Sequence, residues 1–151
     1  TVDGEIFLAN PLLAEEVFGP YSLLIQCDNV QELMAVWHSL KGQLTTTIMG
    51  TDKDFENNPT ILTKAFLLAG RVVLNGVPTG VEVCDSMVHG GPYPATTDSR
   101  FTAVGVKAVK RWLRPVSYQN FPNHLLPDAL KNENPQGLWR EVNGQLTKDL
   151  I

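Results

Sequence analysis

The hydrophobic pattern of the first half of the chain alternates between two periods. Short apolar runs typical of buried strands occur at 21–26, 44–49 and 72–74. Between them, apolar residues recur at helical spacing, first as Val30, Leu33, Met34, Trp37 and Leu40, then as Ile61, Leu62, Ala65, Phe66 and Ala69. This order predicts strand, helix, strand, helix, strand. Such a unit indicates an α/β fold with parallel strands and right-handed crossovers.

Capping residues set the expected limits of these two helices. Asp28, with Gln31 three residues later, predicts the first helix start, and Gly42 is expected to end that helix. Asn58-Pro59 predicts the second start, with Gly70 as its end. The polar stretch 51–58 between them is expected to be a turn.

A long irregular segment follows the strand at 72–74 and continues to about Thr97. It is apolar and is shaped by glycine and proline, so disorder is not expected. Loops at the carboxyl ends of parallel strands commonly form ligand sites. The segment is therefore interpreted as the wall of a pocket, the alternative being a loop that only covers the core.

The remaining sequence predicts smaller elements. A third helix is expected from Thr97 or Asp98 to Trp112, followed by a short strand at 116–119. After Phe121 an extended arm is expected, with a short helix near 127–131. Asn143-Gly144 between two apolar segments, 138–142 and 145–147, predicts a two-residue hairpin.

Composition narrows the function classes. The chain has 151 residues, 43% hydrophobic, and a net charge of −4, which argues against nucleic acid or an anionic membrane surface as partner. No apolar run is long enough for a membrane span, and the N-terminus does not resemble a signal peptide. Two cysteines do not make a disulfide framework, which favours a reducing, cytoplasmic setting. The three histidines are too dispersed to predict a metal site.

Individual reactive residues give weak signals on their own. Glu15 and Glu16 are interpreted as a surface acidic pair, and Cys84 as a structural cysteine because its neighbours are apolar or acidic. His89 either lines the pocket or caps a turn. Arg100 is interpreted as a solvated charge, the alternative being an anion contact.

Three short sequence motifs resemble those of a known family. They are Glu-Glu-Val-Phe-Gly-Pro at 15–20, Gly-Arg-Val-Val-Leu-Asn at 70–75 and His-Gly-Gly-Pro-Tyr-Pro at 89–94. In order and spacing the chain resembles the C-terminal third of the aldehyde dehydrogenase superfamily. The run 75–105 is similar to the branch of α-ketoglutaric semialdehyde (2,5-dioxopentanoate) dehydrogenases, and NADP-dependent fatty aldehyde dehydrogenases share much of it.

The resemblance implies roles for particular residues. Glu16 would bind ribose hydroxyls of NAD or NADP, and Phe18 would pack against the nicotinamide ring. An aldehyde tunnel would be lined by Val77, Pro78, Thr79, Val81 and His89. His89 stands where many relatives carry Phe, which would suit a substrate with a carboxylate end.

The resemblance also implies an organisation. Residues 1–114 would be part of the catalytic domain, and 115–151 an oligomerisation strand and arm that pair with a second copy. The nucleophilic cysteine, general base and dinucleotide-binding domain of that family all precede the matching segment. The chain, which starts at Thr1 without Met, is therefore expected to be part of a longer enzyme, to contain no catalytic residue and to be inactive alone. The alternative is a non-catalytic assembly or binding module.

Overall fold

The computed structural model describes every residue from Thr1 to Ile151, and the chain divides into two compact units, 1–113 and 114–151. The helices and strands of the larger unit are β1 (Val2–Asp3), α1 (Gly4–Ala9), β2 (Ile25–Gln26), α2 (Val30–Ser39), β3 (Gln43–Ile48), α3 (Asp52–Asn57), α4 (Pro59–Leu68) and β4 (Ala69–Leu74). Two 3-10 helices, Pro11–Ala14 and Val106–Trp112, complete that unit. The smaller unit contains 3-10 helices Asn123–Leu125 and Asp128–Leu130 and strands β5 (Arg140–Val142) and β6 (Gln145–Thr147). None of the helices combines the length and apolar character needed to cross a bilayer.

The fold is mixed α/β with small parallel sheets. Strands β3 and β4 pair in parallel from Gln43 opposite Ala69 to Ile48 opposite Leu74, with α3 and α4 as the crossover. Strand β2 pairs in parallel with β1 over two residue pairs. The predicted parallel pairing is confirmed, but one continuous strand-helix-strand-helix-strand sheet does not form. Only the last two residues of the run 21–26 enter a ladder, and their partner is β1 rather than β3.

Helix α2 begins one residue later than the sequence predicts. Its N-cap is Asn29, whose side chain accepts a hydrogen bond from the Glu32 amide at 2.9 Å. The Glu32 carboxylate in turn accepts from the Asp28 amide at 2.7 Å. Asp28 was the wrong choice of cap, because Asn29 is the residue three positions before the acidic side chain that closes the first turn.

The predicted turn at 51–58 is wrong, since a helix forms there. Thr51 and Asp54 make a reciprocal capping box: the Asp54 amide donates to Thr51 Oγ1 at 3.3 Å and the Thr51 amide donates to Asp54 Oδ2 at 2.8 Å. The Thr51 hydroxyl also donates to Asp54 Oδ2 at 2.7 Å, and this bond together with the one from the Thr51 amide lowers the pKa of the Asp54 carboxyl. The following helix α4 starts with Pro59 at its first position, as predicted.

The core of the larger unit is small. Its buried apolar residues are Phe7, Val36, Ala65, Leu68 and Ala69. The predicted inner faces of α2 and α4 are therefore partly wrong. Val36 is the buried position of α2, whereas Val30 and Leu33 are exposed, and Phe66 of α4 is 66% exposed.

Two glycines predicted to end helices have another role. The C-cap residues are Leu40 and Ala69, both in extended conformation, and neither helix ends on a left-handed glycine. A Cβ at Gly42 would lie 2.1 Å from the Pro92 carbonyl oxygen, and one at Gly70 would lie 2.3 Å from that of Gly90. These glycines allow the later segment 90–92 to cross the amino ends of β3 and β4 in backbone contact.

The predicted third helix is also shorter than expected. Only Val106–Trp112 is helical, as a 3-10 helix, and the segment before it is irregular. Gly105 has φ of +94°, which breaks the helical path, and the Thr102 hydroxyl donates to the Val104 carbonyl at 2.7 Å. Residues 116–119, predicted as a strand, belong to no strand of this chain.

The smaller unit confirms the predicted hairpin and the predicted helical turn near 127–131. Strands β5 and β6 pair antiparallel across Asn143 and Gly144, whose φ values are +51° and +81°. Positive φ at both central residues is the geometry of a type I′ turn. The hairpin is therefore built by its turn residues.

Two polar side chains hold the rest of that unit together. The Asn134 side chain is buried and donates to the carbonyls of Leu138 and Lys148 at 3.0 and 2.8 Å. The Arg140 guanidinium donates to the backbone carbonyls of Lys131, Asn132 and Asp149. A unit with little apolar core is thus organised by side chains bonded to backbone.

Candidate functional site

The loop that carries Glu16 and Phe18 follows the 3-10 helix Pro11–Ala14. Asn10 caps that helix, and the Glu15 amide closes it by donating to the Leu12 carbonyl at 3.2 Å. From Glu15 the backbone is extended or irregular up to Ile25. Glu16 therefore lies at the start of a loop whose preceding residue, Glu15, is held by a backbone hydrogen bond.

Both predicted cofactor residues are open to solvent. Phe18 is 97% exposed, and Glu16 is exposed and takes part in no ion pair. A carboxylate of this kind has all its acceptor positions free for hydroxyl donors, and the exposed ring has a free face for stacking. The chemistry of the two side chains fits the ribose and ring of a nicotinamide nucleotide.

A second candidate segment leaves the carboxyl end of β4 at Asn75. The Asn75 amide donates to the Ile48 carbonyl at 2.9 Å, and its side chain both accepts from the Gly50 amide at 2.9 Å and donates to the Gly50 carbonyl at 2.8 Å. Asn75 therefore ties together the ends of β3 and β4. Its φ of +51° turns the chain into the segment that follows.

The predicted tunnel residues Val77 to Val81 come directly after this anchor. The Thr79 amide donates to the Val77 carbonyl at 2.8 Å, which makes a tight turn around Pro78. The Gly80 carbonyl accepts from Arg71 Nη1 at 2.7 Å. Val77 is 69% exposed and Val81 is 38% exposed, so this turn presents an apolar surface.

His89 belongs to a different part of the larger unit. Its amide donates to the buried Thr102 hydroxyl at 2.8 Å, and its carbonyl accepts from the Ala103 amide at 2.8 Å. The next residues, Gly90 and Gly91, pack against Gly70 and Gln43 at the amino ends of the strands. The backbone of His89 is thus held firmly, while its side chain is half-buried.

The predicted tunnel residues therefore lie in two segments that adjoin opposite ends of the β3–β4 ladder. Val77 and its neighbours lie just past Leu74 opposite Ile48, whereas Gly90 and Gly91 adjoin Gln43 opposite Ala69. Six residues of extended strand separate these ends by about 17–20 Å. The long segment does not remain at the carboxyl edge, as the sequence had suggested, but returns along the sheet.

The sequence that forms these segments is similar to that of known proteins. A protein of Acinetobacter baylyi named alpha-ketoglutaric semialdehyde dehydrogenase is 51% identical over 140 residues, which is 93% of this chain and 27% of that protein. A protein of Azospirillum brasilense named alpha-ketoglutaric semialdehyde dehydrogenase 2 is 46% identical over 144 residues, 95% of this chain and 27% of that protein. The chain belongs to the aldehyde dehydrogenase superfamily.

The likeness has a defined extent. The chain spans about a quarter of the length of the curated relatives it matches, and the match lies in their C-terminal part. No family model matches the chain.

Two clefts of this aldehyde dehydrogenase segment lie away from every predicted site residue. One, of about 200 Å³, is lined by Trp37, His38, Leu40, Lys64, Leu67 and Leu68. The other, of about 260 Å³, is lined by Leu33, Trp37, Thr47, Ile48, Met49, Asp54, Phe55, Asn58 and Ile61. Both lie where helix α2 meets the crossover helices. Neither cleft is lined by Glu16, Phe18 or any of the predicted tunnel residues.

The remaining reactive groups are either paired or poorly suited to nucleophilic attack. Partial burial, and then the nearby carboxylates of Glu32 and Asp28, raise the pKa of the Cys27 thiol. Cys84 Sγ lies 3.4 Å from Ser86 Oγ and has no cationic partner within hydrogen-bond reach. In the structure no three His, Cys, Asp or Glu side chains converge in a way that could hold a metal ion.

Arg100 is paired rather than available for an anion. Its Nε and Nη2 donate to the two carboxylate oxygens of Asp98 at 2.9 and 2.6 Å, and its amide donates to the same side chain at 3.0 Å. These hydrogen bonds lower the pKa of Asp98 to about 2. The sequence predicts a solvated charge at Arg100 but does not indicate this bidentate pair, the fork between Arg100 and Asp98.

Two positioning residues gave no sequence signal of their own. The apolar spacing predicts a helix at Thr102, whereas its hydroxyl accepts a hydrogen bond from the His89 amide. Asn75 ends a motif shared with the family, and that motif does not indicate that the Asn75 side chain joins two strands. A positive φ favoured by Asn before Gly was the one available clue.

Proposed function

We propose that this chain is the C-terminal part of an NAD(P)-dependent aldehyde dehydrogenase that oxidises 2,5-dioxopentanoate, a semialdehyde, to 2-oxoglutarate. The observation that carries the proposal is the 51% identity, over 93% of the chain, to a protein named alpha-ketoglutaric semialdehyde dehydrogenase. The parent enzyme would be cytoplasmic, since both cysteines of the chain are free.

Glu16 and Phe18 would bind the nicotinamide end of the cofactor. An ionised carboxylate accepts two hydroxyl hydrogen bonds, and charge-assisted bonds of this kind are the strong ones. An aromatic face orients the neighbouring ring and brings no competing donor. The exposure of both side chains, and the absence of an ion pair at Glu16, support these roles. When bound, the cofactor would accept the hydride that the aldehyde loses.

Val77, Pro78, Thr79 and Val81 would form an apolar wall of the aldehyde tunnel. His89, whose neighbours Gly90 and Gly91 adjoin the other end of the β3–β4 ladder, would add a polar group at a separate position in that tunnel. An imidazole can donate to a carboxylate, which 2,5-dioxopentanoate carries at the end opposite its aldehyde. A fatty aldehyde has no such group. The half-buried position of His89, with its backbone fixed by Thr102, supports a specific rather than a mobile contact.

The substrate is tested with the longer protein that contains this chain. Purified enzyme is supplied with 2,5-dioxopentanoate or a long-chain aldehyde, each with NAD or NADP, and the reduced cofactor is followed at 340 nm. We expect the highest kcat/KM with the semialdehyde. A preference for the long-chain aldehyde with NADP would favour a fatty aldehyde dehydrogenase instead. No oxidation of either would favour a non-catalytic module, and the 151 residues alone are expected to give no signal.

The cofactor contact is tested by Glu16→Gln, with Glu15→Gln as a matched control on the neighbouring exposed carboxylate. Losing one charged hydrogen bond would cost about 1.5–3 kcal/mol, which is about a 10- to 150-fold fall in kcat/KM. Glu15→Gln should leave kcat/KM within about twofold, since neither carboxylate supports the fold. Unchanged cofactor affinity and unchanged turnover in Glu16→Gln would remove this residue from the site.

Residues 115–151 would serve in assembly with a second copy of the enzyme. The segment 116–119 has no ladder partner within the chain, and its backbone groups are free to pair with another strand. The other partners of the chain would be the aldehyde and the remainder of the parent enzyme.

A further inference from the structure

The chain contains two Asn-Gly dipeptides in the same backbone conformation but in different surroundings. Asn75 precedes Gly76 and Asn143 precedes Gly144, and both asparagines have φ of +51°. Each follows a bulky apolar residue, Leu74 or Val142. The two sites are therefore a matched pair for any chemistry that depends on the dipeptide itself.

That chemistry is intramolecular deamidation. The amide nitrogen of the glycine attacks the side-chain carboxamide carbon of the preceding asparagine, and ammonia leaves as the new C–N bond forms a five-membered succinimide. Water then opens the ring at either carbonyl and gives aspartate or isoaspartate, with no oxidant or reductant needed. Glycine favours the attack because it has no Cβ to hinder its nitrogen. The turn must first open, since a left-handed asparagine does not present its carboxamide to the following nitrogen.

Opening is opposed at Asn75. The side-chain oxygen and nitrogen are both bonded to the Gly50 backbone, at 2.9 and 2.8 Å, and the Asn75 amide is bonded to Ile48. A Cβ at Gly76 would already lie 3.0 Å from a methyl carbon of Val73, which shows that the site is crowded. Attack here requires the end of the β3–β4 ladder to separate.

Opening is much easier at Asn143. The residue is exposed at the tip of the hairpin, its carboxamide makes no hydrogen bond within the chain, and nothing lies within 4 Å of a Cβ built on Gly144. The flanking strands β5 and β6 are three residues long each. Short, exposed elements open locally at low cost.

We propose that Asn143 is a site of spontaneous deamidation and isomerisation in the folded protein, and that Asn75 is protected by its own side-chain hydrogen bonds. The product carries one additional negative charge at the hairpin tip. Isoaspartate also inserts an extra backbone atom between Val142 and Gln145, which are paired in the native hairpin. Modification at Asn143 therefore loosens β5 and β6 while leaving the larger unit intact.

The test is a timed incubation of the 151-residue chain at pH 8.5 and 37 °C, followed by peptide mapping with fragmentation that separates aspartate from isoaspartate. In the folded chain we expect the Asn143 peptide to convert about tenfold faster or more than the Asn75 peptide, because the rate follows the opened population. In 8 M urea the two rates should become similar, since the dipeptides are alike.

Two further results decide the proposal. Asn143→Gln should abolish the one-dalton shift in the hairpin peptide and leave the Asn75 peptide unchanged. Equal rates in the folded chain, or faster conversion at Asn75, would overturn the proposal. A rate difference that persists in urea would also overturn it, because flanking sequence rather than the fold would then control the reaction.

Discussion

At the scale of single residues, polar side chains bonded to backbone determine the irregular parts of this protein. Asn75 joins two strand ends, Thr102 holds His89, and Arg140 with Asn134 organises the smaller unit. Such contacts replace the ladders that regular structure would supply. They also explain why long segments without helix or strand still have a defined path.

The fork between Arg100 and Asp98 predicts a measurable titration. Since hydrogen bonds from Arg100 lower the pKa of Asp98 to about 2, the pair contributes stability above the ordinary aspartate range, and this contribution is lost as the pH falls toward about 2. Carboxyl carbon chemical shifts should report this low pKa, and Arg100→Gln should raise it toward the ordinary value. Arg111→Gln, at an exposed arginine without an ion pair, is the control and should leave it unchanged. An ordinary Asp98 pKa in the unmodified chain would mean that the fork does not persist in solution.

Gly42 gives a second prediction at this scale. A Cβ there would lie 2.1 Å from the Pro92 carbonyl oxygen and 2.7 Å from that of Tyr93, and both are backbone atoms that have little room to shift. Gly42→Ala should therefore lower the free energy of unfolding by about 1–3 kcal/mol, measured by urea denaturation. Gly80→Ala is the matched control, because nothing lies within 4 Å of its Cβ, and should stay within about 0.5 kcal/mol. Similar losses in both variants would contradict the close crossing at Gly42.

At the scale of elements, the sequence predicts best where a local rule and a buried pattern agree. Strands β3 and β4 follow from β-branched, apolar runs, and the β5–β6 hairpin follows from Asn143-Gly144. Helix α4 follows from Asn58-Pro59. Each of these elements can be predicted from residues that are close together in the sequence.

Two of the incorrect predictions depend on contacts that are distant in sequence. The run 21–26 was extended too far because its only ladder partner is the two-residue β1. The third helix was predicted from apolar spacing, although Gly105 at φ of +94° and the bond from His89 to Thr102 impose another path. The spacing of apolar residues does not indicate which distant loop will pack across a sheet.

The proposed roles of Glu16 and Phe18 come only from the resemblance to the family. Glu16 and Phe18 lie on an exposed loop, and neither periodicity nor capping distinguishes them from other surface residues. The segment containing Val77 and the one containing His89 were placed in one loop at the carboxyl edge. Because Gly90 and Gly91 have no Cβ, that loop can pass close to the backbone at the other end of the ladder, which spacing alone could not indicate.

The start of helix α2 gives a prediction that separates two candidate caps. Asn29→Ala removes the side-chain acceptor for the Glu32 amide and should destabilise the larger unit by about 1 kcal/mol. Asp28 contributes its backbone amide rather than its side chain to the cap, so Asp28→Ala should cost about 0.3 kcal/mol or less. Hydrogen exchange of the first α2 amides gives the local readout. A larger effect for Asp28→Ala would restore the cap predicted from sequence.

At the scale of the whole molecule, many large apolar side chains are exposed to solvent. They include Phe18 at 97%, Trp112 at 83% and Tyr93 at 80% exposed. Apolar surface of this extent favours association, because covering it is the dominant favourable term in protein contacts.

The chain should therefore self-associate at micromolar concentration. We expect its sedimentation coefficient to rise with concentration, and we expect the segment 116–119 to take part because its backbone has no strand partner in the chain. Val116→Lys places a charge on that segment at a residue that is 56% exposed, and should shift the distribution toward monomer. Val83→Lys, at a 73% exposed valine in the long irregular segment, adds the same charge elsewhere and should shift it less. A single monomeric species for the unmodified chain would show that its exposed apolar surface does not drive pairing. Equal effects of the two substitutions would instead mean that net charge, rather than the edge at 116–119, controls association.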